Sequence, residues 1–220
     1  MKRILILFYS TLTIGCGYAQ NPNFIKYINS YKKEKPDKIL NFAKVVQINR
    51  QMTKEDALEF VYNGDTAKLY CKQKIFNMET EKVEGIAKDL YLPSKCLRIN
   101  MGNYFLIAYS SYLCQNPNEL LKIVLNLSIV DRNFKIRDNM LVYKGSDYES
   151  EIAGLLNPNT GKIFLLGDIQ NIESKQAYIY KINIETLKFE LIKEENNITG
   201  TNDNLTKLLD LLEWNETFMN

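Results

Sequence analysis

The chain has 220 residues, 45% hydrophobic and 25% charged, with 28 Lys+Arg against 26 Asp+Glu for a formal net charge of +2. That balance fits a globular protein able to bury a sizeable core, and it lacks the basic footprint of a nucleic-acid binder. There is no histidine, which excludes serine–histidine and cysteine–histidine relays and imidazole-based zinc sites.

The first twenty residues, MKRILILFYSTLTIGCGYAQ, have the three parts of a secretory signal. Lys2 and Arg3 form a basic start, Ile4 to Ile14 an apolar stretch, and a small-residue tail follows. The apolar stretch is shorter than the roughly 20 residues a bilayer-spanning helix needs. The expected signal peptide is 1–19, and removing it takes the net charge to zero. Two exits compete: cleavage after Ala19, leaving Gln20 first, or lipidation of Cys16 behind Thr13-Ile14-Gly15. Either outcome implies export, to the periplasm, the outer membrane or the outside, with membrane attachment only through an N-terminal lipid. The remainder, 20–220, is expected to form one domain.

An oxidising compartment permits a disulfide, and Cys71, Cys96 and Cys114 offer one pair among three. Without histidine, three cysteines make neither a zinc site nor an activated nucleophile.

Residues 20–65 read as helical and mixed. In FIKYINSYKK, Phe24, Tyr27, Ile28 and Tyr31 recur at helical spacing, and Pro36 is the expected stop. KILNFAKVVQINR is expected to be extended around Ala43 to Ile48. In MTKEDALEFVYNGD, Thr53 is the expected N-cap, Glu55 and Asp56 lie in the first turn where the helix dipole favours them, and Asn63-Gly64 is the stop. Asp65-Thr66-Ala67 matches a short O-glycosylation acceptor pattern.

Residues 66–195 carry β signals. AKLYCKQKIF reads as a strand, and CLRINMGNYFLIAYSSYLC as a hairpin around Met101-Gly102-Asn103. Three further hairpins turn at Asp131-Arg132-Asn133, Asn157 to Gly161 and Asn183 to Leu187. Asn196 to Asp203 is a polar turn region, and 203–214 a closing helix with Leu205, Leu208, Leu209 and Leu212 on one face and Trp214 near its end. The expected fold class is mainly β (α+β): an antiparallel hairpin meander or sandwich-like sheet with short N-terminal helices and a C-terminal helix.

For chemistry, GSDYESEIAG places Asp147, Glu149 and Glu151 on one face if extended. Such carboxylates could ligate a hard cation or act on a glycosidic bond, but a solvated strand face reads the same. Tyr104, Tyr109 and Tyr112 could form a sugar-stacking platform or simply pack. No catalytic residue and no cofactor is assigned.

The "YAQ" signal end, the MTKEDALEFV helix, the NYFLIAYSSYL strand and the YKGSDYESE stretch resemble uncharacterised exported proteins of Bacteroidetes. That resemblance implies no activity. The sequence therefore points to an exported, envelope-associated, non-enzymatic protein that binds a protein or glycan. A periplasmic inhibitor or immunity-type protein, and a carboxylate-dependent glycan hydrolase, stand as alternatives.

Overall fold

A computed structural model of the chain describes residues 21–35, 39–48, 50–77, 82–113, 121–145, 150–168 and 175–198. The expected signal peptide with Cys16, the closing helix 203–214 with Trp214, and Cys114 lie outside the described residues.

Helix α1 spans Pro22–Asn29, capped by the Asn21 side chain, which accepts from the Asn23 backbone N–H. Proline in the first turn costs no hydrogen bond there. The expected stripe holds: Phe24, Tyr27, Ile28 and Tyr31 are all buried. The helix stops well before Pro36, because the next residues become strand β1 (Lys33–Glu34), which pairs in parallel with a later strand. Strand β2 (Leu40–Asn41) precedes α2 (Phe42–Val45). The segment expected to be extended from Ala43 is therefore helical at its start. Asn41 caps it by accepting from Ala43 N–H at 2.9 Å, and Phe42 and Val45, three apart, both reach the core. Helix α3 (Lys54–Phe60) starts as expected: Thr53 Oγ1 accepts from Asp56 N–H at 3.1 Å. Beyond its end the chain turns through Asn63 and Gly64, both at positive φ. Asp65 then caps a 3-10 turn, Thr66–Leu69, which gives the Asp65-Thr66-Ala67 pattern a structural role.

The β half comprises β3 (Tyr70–Asn77), β4 (Lys82–Leu90), β5 (Ser94–Asn100), β6 (Tyr104–Leu113), β7 (Lys122–Asp131), β8 (Ile136–Gly145), β9 (Ser150–Asn157), β10 (Lys162–Asp168), β11 (Lys175–Asn183) and β12 (Lys188–Ile198). Asn196 to Ile198, read as turn, belong to β12. Strands β5 to β12 form one antiparallel meander in chain order, with β1 added at one edge and β2 on β9. The fold is mainly β, as expected, and the meander is one sheet rather than two facing ones. Strands β3 and β4 pair only with each other.

Register shifts between β5 and β6, within β7–β8 and within β11–β12 bend the sheet. It curls until the β11–β12 end returns to β8, where Asp138 Oδ2 accepts from Phe189 N–H at 2.8 Å. The two edge strands do not pair, so the curl stops short of a barrel.

Strand alternation sorts the core into two layers. Tyr104, Leu106 and Ala108 point to the inner face with Leu125, Leu127, Ile129, Val142, Leu156 and Ile163. Phe105, Ile107 and Tyr109 point to the other face, where α1 and α3 cover them with Phe24, Tyr27, Ile28, Ala57 and Phe60. Covering both faces requires an unbroken apolar run, which is why YFLIAYSSYL shows no polar alternation. Gly154 on β9 sits where a Cβ would lie 2.5 Å from both Leu165 Cδ2 and the Phe164 carbonyl oxygen. Glycine there lets β9 and β10 close on each other.

Candidate interaction surface

Among the described residues, the sequence-selected side chains do not gather into a catalytic or metal centre. Glu151 pairs with Lys144 at 2.5 Å and with Lys122, tying β9 to β8 and to β7 beyond it. Burial raises its pKa, but the two lysines outweigh that and hold the carboxyl below its usual value. Asp147 and Glu149 lie outside the described residues. Among the described residues, no three His, Cys, Asp or Glu side chains gather as metal ligands would.

The tyrosines do not form a platform either. Tyr104 is buried in the inner layer and Tyr109 in the layer under the helices, on opposite faces of β6. The Tyr112 ring packs against Tyr91 with centroids 4.9 Å apart. Burial raises the pKa of both Tyr104 and Tyr109.

Cys96 is a free thiol with no exposed surface, pointing at the Ile48 and Ser94 carbonyl oxygens. Burial, only partly offset by hydrogen bonds with Ser110, pushes its pKa up to about 11. It is an inert thiol rather than a nucleophile. Cys71, also buried, is disulfide-bonded. Of the three cysteines among which the sequence allows one pair, Cys96 is therefore left out of it.

What the fold does assemble is a surface that was not read from the sequence. Strand β4 was missed entirely; it pairs with β3 to make an arm standing apart from the sheet. The arm joins the body at its base, where Tyr91 N–H donates to the Leu69 carbonyl at 2.8 Å and Leu69 and Cys71 are buried. Beyond the base it is exposed, and four of its apolar residues are about half accessible or more: Ile75 49%, Val83 47%, Ile86 58% and Leu90 49%.

Register decides which face each residue occupies. Tyr70 lies opposite Leu90, Lys72 opposite Lys88, and Lys74 opposite Ile86; after a bulge, Phe76 lies opposite Val83. Tyr70, Lys72, Lys74, Val83, Ile86, Lys88 and Leu90 thus share one face. Val83, Ile86 and Leu90 therefore sit among Lys72, Lys74 and Lys88, with Lys88 Nζ 4.5 Å from the centre of the Tyr70 ring. The bulge moves Val83 onto this face; strict alternation along β4 would have placed it on the other. The opposite face carries Cys71, Ile75, Gly85, Ala87 and Asp89.

This face is not what stability would select. A two-stranded ribbon is marginal in water without a face to pack on. Like charges directly across a strand pair, as Lys72 and Lys88 are, cost a further fraction of a kcal/mol, on the order of 0.2–1. Lys88 recovers part of that over the Tyr70 ring. An exposed apolar strip set among lysines suits an acidic partner with apolar residues of its own.

Searches with the sequence and the structure found no matching family model, no matching curated protein and no matching solved structure.

Proposed function

We propose that this is an exported, envelope-associated, non-enzymatic interaction protein. Its curled sheet is a rigid base, and the β3–β4 arm engages an acidic protein surface. The observation that carries the reading is the cross-strand pair Lys72–Lys88, set among exposed Val83, Ile86 and Leu90. Three lysines on one face, against the single acid Glu84 at the bulge, leave it net positive and give the charge half of the recognition. The apolar strip gives the area that must be desolvated for affinity. Export is supported by the signal-like N-terminus and by the disulfide at Cys71, a bond that persists in oxidising compartments. An inhibitor or immunity role would use the same surface.

The test is a photo-crosslinking amino acid at Leu90, compared with one at Asp89 on the opposite face, in envelope fractions. The expected result is a discrete protein adduct from position 90 only. It should weaken with salt, because exposed charges are screened within about 10 Å at 0.1 M. It should vanish in a Lys72→Glu, Lys88→Glu double variant. Adducts that survive charge reversal, or co-sedimentation with phosphatidylglycerol vesicles in place of a protein adduct, would overturn the reading.

A further inference from the structure

A second feature lies at the other end of β6, near the β5–β6 and β7–β8 turns. Arg98 on β5 is buried, and its Nη1 donates to the Ile28 carbonyl at 3.3 Å and to Asn29 Oδ1, at the end of α1. Arg132, exposed in the β7–β8 turn, donates from Nη2 to Asn100 Oδ1 at 2.8 Å and to the Gly102 carbonyl. Both guanidinium carbons lie over the Phe105 ring, 4.7 Å from its centre for Arg98 and 4.4 Å for Arg132. One aromatic ring thus carries two guanidinium groups.

Every acceptor on this pair is neutral: two backbone carbonyls and two asparagine oxygens. They orient the guanidinium groups without cancelling their charge. The end of α1 supplies about half a negative charge and accounts for Arg98 as a helix cap. It does not account for a second full cation beside it. Asp131, next to Arg132 in sequence, is committed elsewhere: its Oδ1 accepts from Asn133 and Lys135 N–H, and its Oδ2 lies 3.6 Å from Arg137 Nε. Among the described residues, neither Arg98 nor Arg132 forms an ion pair. Burial first, and then Arg132, lower the pKa of Arg98. Each guanidinium has five N–H donors and, among the described residues, uses only one nitrogen, so donors on both are left for a ligand.

We infer that Arg98 and Arg132, braced on Phe105, form a binding site for a phosphate-type oxyanion, free or carried as a phosphomonoester. A dianion with oxygens on several sides can accept from two guanidinium groups at once and neutralise both; a single carboxylate matches neither the charge nor the oxygen count as well. Asn29 and Asn100 hold the two arginines in place before the anion arrives, which lowers the ordering cost of binding.

The test is calorimetric titration of the full chain with inorganic phosphate, and separately with phenyl phosphate, at low and constant ionic strength. Saturable one-site binding is expected, weakened roughly tenfold or more by Arg132→Ala, since charge-assisted forked contacts are the strong ones. Arg132 is the residue to change because it is exposed, whereas removing Arg98 would also uncap α1. Tighter binding of phenyl phosphate would mark the ligand as a phosphomonoester; equal or weaker binding would mark it as the free ion. No saturable heat with either probe, or equal binding by Arg132→Ala, would overturn the assignment. Neither outcome bears on the β3–β4 arm, whose lysines lie elsewhere.

Discussion

Strand β6 and strand β4 are close in length and opposite in situation. β6 is buried over most of its length, inner layer on one side and α1 with α3 on the other. β4 is exposed over most of its length and has one paired neighbour. Apolar residues on β6 contribute to folding because they leave water when the chain folds. Val83, Ile86 and Leu90 on β4 stay half in water in the folded chain, so folding does not account for them. The same residue types therefore serve stability in one strand and are available for recognition in the other.

Substitutions should separate the two regions. In the core, Leu127→Ala should cost about 2–5 kcal/mol in urea unfolding, since Leu127 has no exposed surface and its removal leaves a cavity. A loss near zero would mean that the inner layer is not packed as described. At the junction between the regions, the Cys71 disulfide should be worth about 2–4 kcal/mol on reduction. Non-reducing peptide mapping of protein made under oxidising conditions should link Cys71 to Cys114. Tyr112, two residues before Cys114, packs on Tyr91, whose N–H bonds to Leu69 beside Cys71. Cys96 should alkylate only after unfolding, its thiol being buried and held at a pKa of about 11. Alkylation of native Cys96, or a link through it, would break this part of the comparison.

Gly154→Ala should cost about 1–3 kcal/mol by overpacking, because backbone at Phe164 cannot move aside as a side chain would. The arm should behave differently: Ile86→Ala should change stability by no more than about 0.5 kcal/mol, as for an exposed site. A loss of 2 kcal/mol or more would show that Ile86 is buried against the body, and would remove the basis for the arm as a docking element.

The helix-covered layer adds a pH dependence. Tyr27, Tyr31 and Tyr109 are fully buried, and burial raises all three phenols well above their usual value. Burial, and then Tyr112, push Tyr62 up to about 12. The folded state holds these protons more tightly than the unfolded chain. The resulting stability is intact below pH about 10 and is lost as pH rises through 10 toward 12 and beyond. The urea midpoint should therefore fall between pH 9 and pH 11.5, and unfolding at the higher pH should add a step of phenolate absorbance from these four rings. Absence of any added step on unfolding would contradict their burial.

Much of the framework could be read locally. Thr53 as a cap, the Phe24–Tyr31 stripe and the turns at Gly102, Asp131, Asn157 and Asn183 depend on neighbours within a few residues, and all stand where expected. Misreadings arose where a distant partner prevailed. α1 ends early because Lys33–Glu34 joins β5, and Phe42–Val45 coils because both of its apolar residues reach the core. The candidate sites were less legible. Glu151 looked available as a ligand, but Lys122 and Lys144 come from other strands to hold it. The interleaved charges of KVEGIAKDL hid β4, and no local pattern reveals that a bulge carries Val83 to the lysine face.

By itself the sequence determined the β-rich character, the order of the hairpins and the exclusion of histidine chemistry, because turn geometry, side-chain alternation and composition act over short stretches of chain. Only the tertiary structure decided which apolar residues are core and which face water, which carboxylate is spent on lysines, and which two arginines meet over Phe105. Those outcomes depend on strand register and sheet curl, which bring together residues tens of positions apart.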